Sequence, residues 1–217
     1  MKNILISMTF LMLMIPFCMM AQDIKTVKIG SQEWTDANLN VSKFKNGDII
    51  PEAKNIEEFI QACSDLKPIW INYENETANG TVYGKIYNYY AVQDSRGLAP
   101  VGFHIPTDAE WKQMIDELGG SDNAGKKLKS IKGWDENGNG DNKSGFNALP
   151  GGELNGGYAG NEFVPEFREK GSYTCFWASD KSSMFIKPNR CLSFQSDVVE
   201  TKSSYLNYGF YVRCVKD

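Results

Sequence analysis

Thr107-Asp-Ala-Glu-Trp-Lys-Gln-Met-Ile-Asp-Glu-Leu118 is the stretch on which the fold turns. Thr107 with Glu110 three residues on is a capping box, in which each side chain satisfies a backbone N–H that the first helical turn leaves open. Trp111, Met114, Ile115 and Leu118 then recur at i, i+3, i+4 and i+7, and Gly119-Gly120 stops the run. This spacing predicts a helix that buries one face. A second, shorter helix is expected from Asp122 to Ser130, with Ala124, Leu128 and Ile131 on one side and Gly125 inside it against propensity. Upstream, Asn55 with Glu58 opens a short helix whose Ile56, Phe59, Ile60 and Cys63 share a face. Lys25 to Trp34 reads as a hairpin about Gly30-Ser31, Pro68 to Tyr73 as a strand, and Asn75 to Thr81 as a polar loop.

Downstream, strands are expected at Cys175–Ser179, Arg190–Phe194 and Tyr208–Val215. In the last, Phe210, Val212 and Cys214 fall on one face and Tyr211, Arg213 and Val215 on the other. Strands at both ends around two central helices predict a single α+β domain, mostly antiparallel. Between them, residues 133–172 are rich in Gly, Asn and acidic residues with no apolar period. That predicts a long irregular loop region of the kind that carries contacts.

Composition narrows the function. With 217 residues and 41% apolar content the chain can build a core. Lys+Arg 23 against Asp+Glu 27 gives a net charge of −4 without a basic stretch, which argues against nucleic acid as partner. One histidine, His104, excludes sites that need two. It stands just before the main helix without a Cys or Ser partner and reads as structural, as do Glu110 and Trp111. No nucleophile elbow, phosphate loop or dinucleotide fingerprint occurs.

Residues 1–21 read as a secretory signal. Lys2 supplies the positive end, Ile4 to Met20 the apolar run, and Ala21 the residue before cleavage. Lipidation at Cys18 is disfavoured by the bulky Phe17 before it. The expected mature domain is residues 22–217, exported and then secreted, periplasmic or held at the cell surface, with no membrane-spanning segment. It keeps Cys63, Cys175, Cys191 and Cys214, an even number that permits two disulfides in three connectivities.

The loop region holds the site candidates. Asp135-Glu-Asn-Gly-Asn-Gly140 matches the first half of an EF-hand loop, but Phe146 stands where the bidentate Glu belongs. A looser Ca²⁺ site from Asp135, Asn137, Asn139 and Asp141 competes with a plain Gly/Asn turn, and the turn is favoured. Trp134 and Tyr158 are the expected surface aromatics for stacking on a ligand, whereas Trp34, Trp70 and Trp177 are assigned to the core. Asn142 and Glu153 complete the ligand-binding candidates.

Several blocks are distinctive in combination. They are Gln32-Glu-Trp-Thr-Asp-Ala-Asn-Leu39, Tyr83-Gly-Lys-Ile-Tyr-Asn-Tyr-Tyr-Ala-Val92, Leu98-Ala-Pro-Val-Gly-Phe-His-Ile-Pro-Thr-Asp-Ala-Glu-Trp111, Gly145-Phe-Asn-Ala-Leu-Pro-Gly-Gly152, Phe176-Trp-Ala-Ser179 and Val212-Arg-Cys-Val-Lys-Asp217. In order and over nearly all of residues 27–217, the chain resembles the Fibrobacter succinogenes major paralogous domain family. The resemblance implies a C-type-lectin-like domain, distantly similar to formylglycine-generating-enzyme type domains, in exported proteins of Bacteroidetes and related bacteria. It carries no activity with it, and the sugar-binding EPN and QPD tripeptides of calcium-dependent lectins are absent. Against the redox cysteine pair of the formylglycine-generating relatives, Cys191 and Cys214 are expected on neighbouring strands as a structural disulfide, with Cys63 and Cys175 the remaining candidates. The expected role is a non-catalytic binding module that offers loops 133–172 to a glycan or a surface protein. The alternatives are a thiol enzyme or a component of a surface assembly.

Overall fold

The structure is a computed structural model that describes residues 24–159, 162–180 and 185–217. The signal reading of residues 1–21, Cys18 included, lies outside the described residues. The rest is an α+β arrangement of two sheets with helices between their strands. The first sheet joins β1 (Thr26–Ile29), β2 (Gln32–Thr35), β12 (Val215–Lys216) and β5 (Phe103–His104), in that order. Gly30 has φ 58°, which closes the β1–β2 hairpin, and Trp34 lies opposite Val215 on β12.

The second sheet runs β10 (Ser196–Tyr205), β9 (Ile186–Ser193), β8 (Tyr173–Trp177), β6 (Gly151–Ala159), β11 (Gly209–Phe210), β4 (Ile86–Asn88) and β3 (Trp70–Ile71). On β6 it also carries β7 (Glu162–Lys170). Its pairings are antiparallel except β6 with β8, where Gly152 meets Thr174.

Both faces of this sheet's central strands β8, β11 and β4 are buried. Phe176 and Tyr211 point into a cluster with Trp34, Trp111, Phe146 and Leu154. Cys175, Trp177, Phe210 and Val212 point into another with Trp70, Tyr87 and Tyr89. The single strand expected over Tyr208–Val215 is instead split between the sheets, as β11 in the second and β12 in the first, but the alternation survives the break, with Cys214 in the second cluster and Val215 in the first. Arg213 takes the same side as Tyr211, its guanidinium 4.2 Å from the Phe146 ring centroid.

The main helix, α4 (Asp108–Glu117), begins at a complete capping box. Thr107 Oγ1 accepts from the Glu110 N–H, and the Thr107 N–H donates to Glu110 Oε2 at 2.8 Å. Trp111, Met114 and Ile115 are its buried residues. The helix capped by Asn55 is α1 (Ile56–Ser64), with Asn55 Oδ1 accepting from Glu58 at 2.8 Å. The second central helix, α5 (Ser121–Leu128), packs on β10. A Cβ on Gly125 would stand 2.3 Å from the Asp197 carbonyl oxygen, so the glycine inside this helix is the condition for its contact with the sheet.

Four expectations are corrected. Most of residues 75–81, read as polar loop, lies in α2 (Thr77–Tyr83), and Tyr89–Val92 forms the short α3, so the three expected helices become five among the described residues. Asn88, whose side chain accepts the Ala91 N–H at 3.0 Å, starts α3 without a hydrophobic period long enough to announce it. Residues 151–170, read as irregular, form the β6–β7 hairpin, with Glu153 opposite Arg168 and Leu154 opposite Phe167. Strand β10 was not expected, because Ser, Asp, Glu, Thr and Lys dominate its exposed side.

The disulfide expectation is also corrected. Cys175 and Cys191 lie opposite each other on β8 and β9 and form the disulfide. Cys214 is not on a strand beside Cys191, and it remains, like Cys63, a buried free thiol.

Candidate functional site

Glu153 and Asn155 stand two residues apart on β6, so they share one face while Leu154 enters the core on the other. Glu200 and Lys202 share a face of β10 by the same rule. Together with Tyr173 at the start of β8, and with Arg168, Glu169 and Ser172 around the β7–β8 turn, they line a polar cleft of about 470 Å³. Ser193, Phe194 and Gln195, at the β9–β10 turn, close its remaining side.

The cleft has two unlike halves. In one, Tyr173 Oη donates to Glu200 Oε2 at 2.5 Å, Lys202 Nζ donates to Tyr173 Oη at 2.6 Å, and Lys202 pairs with Glu200 at 2.9 Å. Burial works against the Glu200 charge, but these two partners outweigh it and hold its carboxyl below the usual range. Tyr173 is driven the other way, by burial and then by Glu200, so its phenol stays protonated as a donor.

The other half is unbalanced. Glu153 is only 6% exposed, and its hydrogen-bond partner is the Asn155 amide, which donates to Oε1 at 2.5 Å. Among the described residues it forms no ion pair. Burial, and then the like charge of Glu169, push its carboxyl up to about 7. The Asn155 hydrogen bond and the charges of Lys202 and Arg168 pull it back only in part. Asn155 has given its N–H to Glu153, and its own Oδ1 is buried with no donor in reach. Two acceptor groups in one cleft are thus under-supplied with donors.

Among the sequence candidates, the structure places Glu153 in this cleft. Trp134, expected at the surface, is 4% exposed. Its Nε1–H donates to the Ala148 carbonyl at 3.1 Å, and Lys129 Nζ lies 5.5 Å from its ring centroid. It is a core residue because the turn after it folds back under α5 rather than outward. Tyr158 falls in β6, and its side chain lies outside the described residues. Asn142, at φ 47°, uses Oδ1 to accept the Asn147 N–H at 2.7 Å and so ties off its own loop.

Of the four oxygen-bearing residues weighed for calcium, Asn139 and Asp141 have their side chains engaged in the turn. Asn139 Oδ1 accepts the Trp134 N–H at 3.0 Å. Asp141 accepts the Lys143 N–H at 3.1 Å and pairs with its ammonium at 3.1 Å. Asn137 sits at φ 64°, and the Asp135 carboxylate lies against Gly171. Among the described residues no three His, Cys, Asp or Glu side chains are grouped to hold a metal ion. We build no metal site on these residues.

Among the described residues the cysteines offer no activated thiol. Cys175 and Cys191 are oxidised. Burial pushes the Cys63 thiol up to about 11 and the Cys214 thiol up to about 12, opposite to what a nucleophilic thiolate requires.

Sequence reasoning named Glu153, in a region it read as irregular loop, and missed the residues that line the cleft with it. Tyr173, Glu200 and Lys202 come from strands whose pairing sets the cleft, and the alternation Glu200-Thr-Lys202 was the available signal.

The family model for the Fibrobacter succinogenes major domain matches residues 27–216. The chain belongs to this family. No curated protein and no solved structure matches it significantly. The matched span runs from β1 to β12, so the family domain comprises both sheets and the cleft between β6 and β10. Among the described residues no helix is long and apolar enough to cross a membrane.

Proposed function

We propose that this chain is an exported, non-catalytic binding module that takes a polar ligand, a glycan in the first instance, in the cleft around Glu153. We read its α+β arrangement, with the β1–β2 hairpin paired to β12, as a C-type-lectin-like domain. Export, followed by secretion or retention in the periplasm or at the surface, is part of the same proposal.

One observation carries the reading. A carboxyl that is buried without a cation, beside a buried amide oxygen without a donor, costs the fold stability and gives it nothing in return. Such a cost is retained where a ligand supplies the missing partners. The opposite half of the cleft, with Tyr173, Glu200 and Lys202 locked together, is a pre-ordered wall of donors and acceptors. A thiol-dependent enzyme finds no support, since the described thiols are buried and unactivated.

The test is binding of the purified protein to an array of bacterial, plant and mucin glycans, beside the variants Glu200→Gln and Lys202→Met. Saturable binding that these variants weaken supports the module and its location. Binding that both variants leave intact removes the cleft from the account, and silence across the array moves the ligand from glycans to proteins.

A further inference from the structure

We propose that the Glu153 cleft selects a sugar that carries a free primary amine, reading the ammonium group through Glu153 and Asn155. This rests on the glycan-binding reading above and names the ligand class that the cleft demands.

The donor and acceptor count comes first. Lys202 is spent on Glu200 and Tyr173, and Arg168, directly opposite Glu153 on β7, pairs with Glu166 at 3.3 Å. Beside Glu153 the groups short of partners are acceptors: the Glu153 carboxyl, which receives only the Asn155 amide, and Asn155 Oδ1, which receives nothing. Their complement is a group with several N–H donors and no acceptor of its own, and an ammonium has three. A hydroxyl brings a single donor together with lone pairs that would face the same acceptors.

Charge separates an ammonium from an amide. Among the described residues Glu153 and Glu169 form no ion pair, and both line the cleft. The groups around Glu153 are Asn155 on its own strand, Arg168 and Glu169 on β7, Tyr173 on β8, Glu200 and Lys202 on β10, and Tyr73 in the turn before α2. Of the two cations, each already has a carboxylate partner. An incoming ammonium therefore meets a buried carboxyl that lacks a cation, where a charge-assisted hydrogen bond is stronger than a neutral one. N-acetylation removes that charge and two of the donors, and adds a carbonyl where the cleft is already rich in acceptors.

Glu153 must ionise to take the ammonium. A carboxyl pushed up to about 7 is protonated in a large share of the free protein, and the cation would draw its pKa down on binding. Binding then releases a proton, and affinity rises with pH until Glu153 is ionised without the ligand.

The experiment is titration calorimetry of the full chain with a glucosamine hexamer, its fully N-acetylated counterpart and a lysine hexamer. Each is measured at pH 5.5 and 7.0, in buffers of different ionisation enthalpy, with Glu153→Gln as the variant. The glucosamine hexamer is expected to bind at least tenfold tighter than the acetylated one. Its affinity should gain about tenfold between the two pH values, with net proton release. Glu153→Gln, confirmed folded by its melting transition, should lose the preference and the pH dependence together. Equal binding of the two sugar hexamers overturns the amine assignment while leaving the binding module in place. A pH-flat wild type overturns the role of Glu153. Tighter binding of the lysine hexamer overturns the sugar. If neither sugar hexamer binds, the inference falls, and the glycan array above decides the broader reading.

Discussion

Arg213 lies over Phe146, its guanidinium carbon 4.2 Å from the ring centroid, and it is the point where both ends of the described chain meet the middle. Its Nε donates to Asn38 Oδ1 at 2.6 Å, and its Nη1 donates to the carbonyls of Thr35 and Phe146 at 2.8 Å each. Burial pushes its pKa down to about 9, which leaves it charged at neutral pH among neutral oxygens. Removing it orphans these buried acceptors, at a cost of about 1–3 kcal/mol for each. Arg213→Met is therefore expected to lose at least 3 kcal/mol in urea denaturation. Arg213→Lys should recover only part of that, because an ammonium cannot reach the acceptors in the geometry of a planar fork. A Met variant as stable as the wild type would show that stacking on Phe146, not hydrogen bonding, fixes this position.

Glu153→Gln should stabilise the protein above neutral pH. The folded state raises this carboxyl from 4.5 to about 7, so between those values the native chain holds a proton that the unfolded chain has released. Stability attributable to this group therefore falls as pH rises from 4.5 to 7, by on the order of 3 kcal/mol in total. Glutamine removes the titration and keeps an acceptor for Asn155. Denaturation curves at pH 5 and pH 8 should converge at the acid value and separate, in favour of the variant, at the alkaline one. A variant that is equally stable or weaker at pH 8 would show that Glu153 is matched by the fold, and the case for a ligand there would weaken with it.

The cysteines predict a sharp chemical pattern. Without reductant, Cys63 and Cys214 should be alkylated only after denaturation, and Cys175 and Cys191 only after reduction, as read by peptide mass mapping. The disulfide closes a sequence separation of 16 residues, so Cys175→Ala with Cys191→Ala should cost about 3 kcal/mol. Alkylation of Cys214 in the native state would reopen a thiol chemistry that its burial now opposes.

How far the sequence was legible follows from where its periodicity was strong. The capping box at Thr107 and the apolar stripe through Trp111, Met114 and Ile115 announced α4 without help from the rest of the chain. The alternation of residues 210–215 sorted Phe210, Val212 and Cys214 from Tyr211 and Val215, and the two sets do enter different clusters, although the chain changes sheets between them. The β6–β7 hairpin and β10 were opaque because their solvent sides are polar and carry Gly, Asn and Ser, so composition masked the period of two. The cleft is assembled from just these strands. Glu153 could be named as a candidate, but its burial and unmet acceptors exist only once β8 and β10 are laid beside it. The disulfide failed for a related reason: Cys191 faces Cys175 through the β8–β9 register, which no local pattern of either strand encodes.

His104 offers the clearest pH window for stability. It bridges Glu110 Oε1 at 2.7 Å and Asp217 Oδ1 at 2.8 Å, tying the start of α4 to the residue after β12. Burial works against the imidazolium, but the hydrogen bonds to Asp217 and Glu110 outweigh it and raise the pKa. A raised histidine stabilises fully below its unfolded value of about 6.5, and the contribution is lost as pH rises through the folded one. Glu110 behaves oppositely. Burial opposes its charge, but Thr107 and His104 hold its carboxyl below the usual range, so its share is lost as pH falls through that lowered value. The bridge is thus strongest in mildly acidic solution, between the two titrations. With both partners partly solvent-exposed, its worth is about 0.2–1 kcal/mol per pair. His104→Ala should lower the melting temperature by a few degrees at pH 5.5 and by less at pH 8.5. A deficit that grows with pH instead would mean that His104 acts through neutral packing, and that the carboxylates on either side hold the helix start and β12 without it.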